Sequence, residues 1–201
     1  MTGVHTDRSG GNESLDESEE VPDRQVMEAV QDGDVEALRL LISRYWAPLV
    51  AYSVDFVKDR DTAQDVVQGV FIQVWKHRER WSPSSTVNAY LYAIARNLSL
   101  NARRDSSLRE QRHDEGGRAE LDWASVRRPD QELAMSVLER EVEAALEELS
   151  ERRREVFVLS RFHGLTHREI ADALGTSPQT VANQVSAALE QLRDALSHRL
   201  E

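Results

Sequence analysis

Apolar residues recur at three- and four-residue steps along nearly the whole chain after residue 22, and nowhere do they alternate as a strand requires. The period predicts an all-α protein. Val26, Met27 and Val30 mark a first helix from Asp23, ended by Asp32-Gly33-Asp34. Leu38, Leu41, Ile42, Tyr45, Leu49, Tyr52 and Phe56 mark a longer second one, with Pro48 as a candidate kink. Asp61 opens a third, whose buried stripe is Ala63, Val66, Val67, Val70, Phe71 and Val74, while Gly69 weakens its middle by about 1 kcal/mol relative to alanine. WSPSSTVN at 81–88 reads as a loop with a helix restart at Ser85 or Thr86. The restart leads to a core-facing set of Leu91, Ile94, Ala95 and Leu98. Residues 107 to about 130 lose the period, contain Gly116-Gly117 and Pro129, and read as a linker holding an isolated aromatic, Trp123. Helix resumes from about Asp130 through Leu149, and again after Ser150, a cap candidate, through Phe162.

The stretch from Leu165 to Leu192 carries the most local information. Thr166 with Glu169 three positions on is a capping box, Gly175 is a stop, and Ser177-Pro178 is a second start, with the hydroxyl as cap and proline at the first helical position. It reads as a helix-turn-helix. Val181, Val185, Ala188 and Leu192 share one stripe, so Gln179, Thr180, Asn183, Ser186, Ala187 and Glu190 face outward. A second helix offering amides and hydroxyls near its N-terminus suits base edges in a major groove. An ordinary helical hairpin is the plainer alternative.

Charge changes this picture only once it is divided along the chain. The net charge of −11 argues against a polyanion partner, yet residues 76–112 carry a local +5, from Lys76, Arg78, Arg80, Arg96, Arg103, Arg104, Arg109 and Arg112 against three acids. A basic band within an acidic chain is compatible with nucleic acid. Residues 1–22 carry −5, with hardly a large apolar side chain, and are expected to be a disordered acidic tail. The chain has no cysteine, which excludes disulfides, thiol redox sensing and cysteine-ligated zinc. No apolar run approaches the roughly 20 residues of a membrane span and no signal-like stretch follows the N-terminus, so a cytoplasmic protein without membrane insertion is expected. Enzyme chemistry finds no footing. His163 and His167 lack a third ligand, and as surface histidines they need no metal; there is no phosphate-cradling glycine loop and no nucleophile beside a base, so neither cofactor nor catalytic residue is expected.

Three segments in order, DTAQDVVQGVFIQVW at 61–75, AYLYAIARNL at 89–98 and LSERRREVFVL at 149–159, followed by the helix-turn-helix, resemble the extracytoplasmic-function sigma factors of bacterial RNA polymerase, of the sigma-70 family. The resemblance runs over about residues 23–198. It implies two small helical domains joined by a flexible linker: a region 2-like domain at 23–106, a linker at 107–130 and a region 4-like domain at 131–201.

By that resemblance the partners are core polymerase, promoter DNA and an anti-sigma factor. Asp61, Asp65, Gln68 and Phe71 would meet the polymerase, although Gln64 and Gly69 stand where the family usually has acids. Arg78, Arg80, Ser84, Ser85 and Asn88 would surround an unpaired base of the minus-ten element, and Arg96, Asn97, Arg103 and Arg104 would follow its phosphates. Tyr90 and Tyr92 could stack on bases, at least one of them packing instead. Arg168, Ser177, Gln179, Thr180, Asn183, Ser186 and Arg193 would read the minus-thirty-five element, with Arg152 to Arg154 and Arg161 as further backbone contacts. Family members often carry several arginines on this helix; here Ala182, Ala187, Ala188 and Glu190 occupy it, which implies weak affinity for DNA without polymerase. A LuxR-type helix-turn-helix regulator and a helical protein-interaction adaptor are the competing readings. The first leaves residues 61–104 unexplained.

Overall fold

The computed structural model describes residues 21–82, 84–112 and 136–199. The acidic tail, Trp123 and most of the expected linker lie outside the described residues. Eight α-helices are present among those described: α1 (Asp23–Gln31), α2 (Val35–Val57), α3 (Arg60–Lys76), α4 (Val87–Arg112), α5 (Ser136–Glu147), α6 (Glu151–Arg161), α7 (His167–Leu174) and α8 (Pro178–Arg199), with a 3-10 turn at Arg78–Arg80. Their starts follow local chemistry. Asp34 accepts from the amides of Glu36 and Ala37 at 2.8 and 3.2 Å, and Asp59, two residues before the start expected at Asp61, accepts from Thr62 N at 2.8 Å. Thr86 Oγ1 accepts from Ala89 N at 3.2 Å to begin α4. Ser150 precedes α6 without a side-chain cap bond, contrary to the expectation, and the helix relies on its packed face. Pro48 does not divide α2, which runs through it for 23 residues. α4 continues to Arg112, past the expected linker start at 107.

Leu41 and Leu49 on α2, Val67 and Val70 on α3, and Leu91 on α4 are completely shielded from water. Each such burial contributes about 1.5–3 kcal/mol. At the crossing of α3 and α4 Gly69 has a specific reason to lack a side chain: a Cβ there would stand 3.2 Å from Leu98 Cδ1. A larger residue must displace Leu98 or separate the helices.

The two expected halves share one apolar cluster. Val156 and Leu159 of α6, Leu165, and Ile170 and Ala171 of α7 belong to the same cluster as Tyr52, Val67 and Leu91. A smaller one, Ala145, Leu149, Phe157, Ala188 and Leu192, joins α5, α6 and α8. His163, read from the sequence as a surface histidine, lies in the seam instead. Its ring meets Tyr52 edge-on with centroids 5.7 Å apart and Tyr92 at 5.3 Å. Burial lowers its pKa to about 4 and pushes that of Tyr92 well above the ordinary phenol value. Tyr92 therefore keeps its proton, and its hydroxyl shares a 3.0 Å hydrogen bond with Nδ1 of a neutral imidazole, the ring tautomer deciding which of the two donates.

Gly69→Val is expected to cost about 1–3 kcal/mol by overpacking, read as a lower urea midpoint at unchanged slope. The His163 contact should depend on acid. The unfolded ring takes a proton near pH 6.5 and the folded one only near its lowered pKa of about 4, so stability falls as pH drops through that window. Between pH 7 and 5 the protein should lose about 2 kcal/mol more than a His163→Gln variant, in paired urea titrations.

Candidate nucleic-acid interface

At the helix-turn-helix the local rules are all visible. Thr166 Oγ1 accepts from Glu169 N at 3.2 Å while Glu169 Oε2 accepts from Thr166 N at 2.8 Å, completing the capping box. Gly175 ends α7 at φ 62°, a left-handed conformation that glycine adopts without the steric penalty of a Cβ. Ser177 Oγ then accepts from Thr180 N at 3.0 Å and starts α8. Val181, Val185, Ala188 and Leu192 are buried, as their stripe requires. Gln179, Thr180, Asn183, Ser186 and Arg193 are exposed on α8, together with Arg168 on α7. Gln179 Nε2 donates to Asn183 Oδ1 at 3.0 Å, so the two amides are already aligned along one face.

The basic surface begins where α3 ends. Arg78 donates to Trp75 O at 3.0 Å and lies 4.7 Å above that indole ring, a stacked arginine whose position is set by packing. Arg80 is exposed, Ser82 and Ser84 share a 2.8 Å hydrogen bond, and Ser85 is half-buried. Along α4, Asn97 and Arg104 are exposed, and Tyr90 is half-buried whereas Tyr92 is packed inside.

Three of the expected DNA-contacting side chains are already engaged by the second half of the chain. Arg96 holds Glu155 through Nε to Oε1 at 2.6 Å and Nη2 to Oε2 at 3.4 Å. Arg103 pairs with Glu151, and Asn88 Nδ2 donates to Glu169 Oε1 at 3.5 Å. Burial pushes the Glu169 carboxyl up, but hydrogen bonds from Thr166, Thr86 and Asn88 outweigh it and leave the pKa below the ordinary value. Arg152 and Arg153, offered as backbone contacts, pin α6 internally: Arg152 to Glu155 and Leu174 O, Arg153 to Gln184 and Gln191.

On α3, Asp61, Asp65 and Gln68 are exposed on one stripe. Phe71 was expected both in the buried stripe of this helix and at the polymerase face, and its burial decides between the two. It is 5% exposed and stacks on Trp46 at 6.4 Å, so it belongs to the core. The exposed apolar residue of the stripe is Ile72, 46% open to solvent, which sequence reasoning missed although it is the one large apolar side chain of VFIQV off the buried stripe. Glu155 was missed too, although it stands one helical turn before buried Leu159. Among the described residues no three His, Asp or Glu side chains are grouped to hold a metal ion, and no helix is long and apolar enough to cross a membrane.

Comparison with known proteins meets both halves. The family described as sigma-70 region 2 matches residues 41–109, and the one described as sigma-70, region 4 matches residues 139–192. The chain is 30% identical to the RNA polymerase sigma-H factor of Pseudomonas aeruginosa over 87% of its own length and 93% of that protein. It is 28% identical to the ECF RNA polymerase sigma-E factor of Haemophilus influenzae over 89% of its length and 97% of that protein. Its fold is similar to that of CnrH, solved in complex with the cytosolic domain of CnrY, at a TM-score of 0.62 and 23% identity over 88% of this chain and 97% of that one. It is also similar to the sigma factor RpoE of Bartonella quintana, solved with the anti-sigma factor NepR, at 0.64 and 22% over 81% and 98%. A LuxR-type regulator or an adaptor would account for at most one of the two matched segments. With both regions present in order and relatives aligned over nearly their whole length, the chain belongs to the sigma-70 family as an RNA polymerase sigma factor of the extracytoplasmic-function type.

Proposed function

We propose that the chain directs core RNA polymerase to a set of promoters by dividing the reading between its two halves. The observation that carries this is the presence in one chain of two unlike polar surfaces: a cationic corner from Arg78 to Arg104, suited to phosphates and an unstacked base, and an amide face on α8, suited to base edges. The proposed domains are 23–106 for polymerase binding and minus-ten melting, extended by α4 to Arg112, and 131–201 for the minus-thirty-five element, with 107–130 between them. Gln179, Thr180, Asn183 and Ser186 take the base edges; Arg168, Ser177 and Arg193 position the backbone. Arg78, Arg80, Ser84, Ser85 and Asn88 form the minus-ten loop, and Arg96, Asn97, Arg103 and Arg104 track phosphates.

Asp61, Asp65, Gln68 and Ile72 form the polymerase-facing stripe of α3, three polar groups followed by an exposed apolar side chain toward the C-terminal end. The third partner is an anti-sigma protein, supported by the two structural relatives solved with such partners or with a cytosolic partner domain. An apolar groove of about 880 Å³ between α2 and α5–α6, lined by Trp46, Pro48, Val54, Leu146 and the exposed ring of Phe162, has the shape and chemistry for an amphipathic helix.

Core polymerase reconstituted with the protein should start transcripts at defined points in a genomic fragment library; no initiation with folded protein and competent core overturns the assignment. On the promoters so found, Gln179→Ala and Asn183→Ala are each expected to reduce initiation about tenfold in a manner that depends on the upstream element, equivalent to about 1.4 kcal/mol of base discrimination. Arg104→Ala should instead weaken all promoters alike and lower the slope of log K against log salt by about one. Ile72→Glu is expected to weaken holoenzyme formation at least tenfold in a binding titration while leaving the thermal midpoint within about 2 °C, since an exposed site contributes little to folding.

A further inference from the structure

We infer, on the promoter-reading assignment above, that Arg153 of α6 is a positioning residue: it fixes the roll and the axial position of α8, so that the outward amides of that helix meet base edges in one register. The half-buried guanidinium reaches α8 at two places. Nη1 donates to Gln191 Oε1 at 2.7 Å and Nε to Gln184 Oε1 at 3.5 Å. These glutamines stand seven residues apart, which is about two helical turns or 10 Å along the axis, and they flank the buried stripe of α8. One rigid, planar group thus ties two turns at once, and neither a rotation nor a slide of α8 keeps both bonds. The ties continue on either side. Gln191 Nε2 donates to Glu148 O at 3.2 Å, just ahead of α6. Arg152, about 100° around α6 from Arg153, donates to Leu174 O at 3.3 Å at the end of α7. Adjacent arginines of one helix therefore hold both helices of the helix-turn-helix.

Apolar contact alone leaves that freedom open. The buried stripe of α8 is Val181, Val185, Ala188 and Leu192, aliphatic side chains without a directional group, and hydrophobic burial discriminates little between neighbouring rolls. Side-chain tips lie about 5–6 Å from a helix axis, so a roll of about 20° carries them about 2 Å. Recognition through placed polar groups tolerates much less, about 0.5 Å. Asn183 precedes Gln184 directly and is turned about 100° from it, so the bond that holds Gln184 inward sets Asn183 outward. The phosphate contact that the family resemblance implied for Arg153 makes a different demand on the same side chain. With Nε and Nη1 committed to α8, Arg153 adds to discrimination between sequences, whereas a phosphate contact would add equally to all of them.

The test compares holoenzymes on a promoter from which the parent initiates. Arg153→Ala should lower the ratio of initiation at the matched minus-thirty-five element to that at a single-base variant by at least about fivefold, with the slope of log K against log salt as in the parent. Arg153→Lys, which keeps the charge and loses the fork, should lower the same ratio by at least about threefold. In the free full chain, residual dipolar couplings of the backbone amides should show α8 rolled by more than about 10° against α6, or spread over several orientations, in both variants, with helical circular dichroism unchanged. Should Arg153→Ala lose helicity, Arg153→Lys and Gln191→Leu carry the test. Folded variants that keep the parent's ratio overturn the inference, and a slope lowered by about one identifies a phosphate contact in its place. An equal loss at matched and mismatched elements marks a purely structural role and overturns it as well. A parent that initiates nowhere overturns the promoter-reading assignment instead; the couplings then decide the clamp by themselves, and unchanged couplings remove it.

Discussion

Removing a carboxylate from water costs several kcal/mol unless donors replace its hydration, and that constraint governs the seam of this protein. Glu155 is nearly inaccessible, and two of its three side-chain partners, Tyr52 and Arg96, sit in the other half of the chain. Helix α6 is thus fully satisfied only where it meets α2 and α4. Around that point the fold arranges the rest: the rings of Tyr52 and Tyr92 enclose His163, α7 lies along α4, and the apolar cluster of one half runs on into the other.

The same seam reconciles an acidic chain with a DNA-reading role. The basic band at 76–112 is surrounded by an excess of negative charge, and the structure shows where part of that excess is spent. Glu151, Glu155 and Glu169 are set opposite Arg103, Arg96 and Asn88. Exposed pairs such as Arg103 with Glu151 contribute little, about 0–1 kcal/mol, and weaken with salt. The shielded Arg96–Glu155 pair is insulated from screening and carries more of the orientation.

What could be read from the chain was what is encoded locally. The capping box at Thr166, the turn at Gly175 and the start at Ser177-Pro178 each need only neighbours within four residues, and each is present. The helices of the first half followed from spacing alone. The seam did not, because its hydrogen bonds join residues 48 to 103 positions apart, and in a chain with 30% charged residues an acid such as Glu155 looks like any solvated one. His163 was misread for the same reason. Phe71 shows a finer limit: its spacing placed it in the buried stripe while the resemblance placed it at the polymerase face, and its stacking on Trp46 of α2 decides between them.

The bond between Gln179 and Asn183 orders the exposed face of α8 on which the proposed base reading depends. Two side chains that would otherwise each sample several rotamers are held in one arrangement, so less freedom is lost when a ligand is met, about 0.5–1.5 kcal/mol for each ordered chain. Yet the bond must be exchanged when either amide turns to a base, and an exchange is worth only the difference between the two partners. On the proposed reading of α8, such a helix would work as a comparator: a matching base would restore what was given up, whereas a mismatched one would leave an amide unsatisfied, so the penalty for a wrong sequence would exceed the reward for a right one.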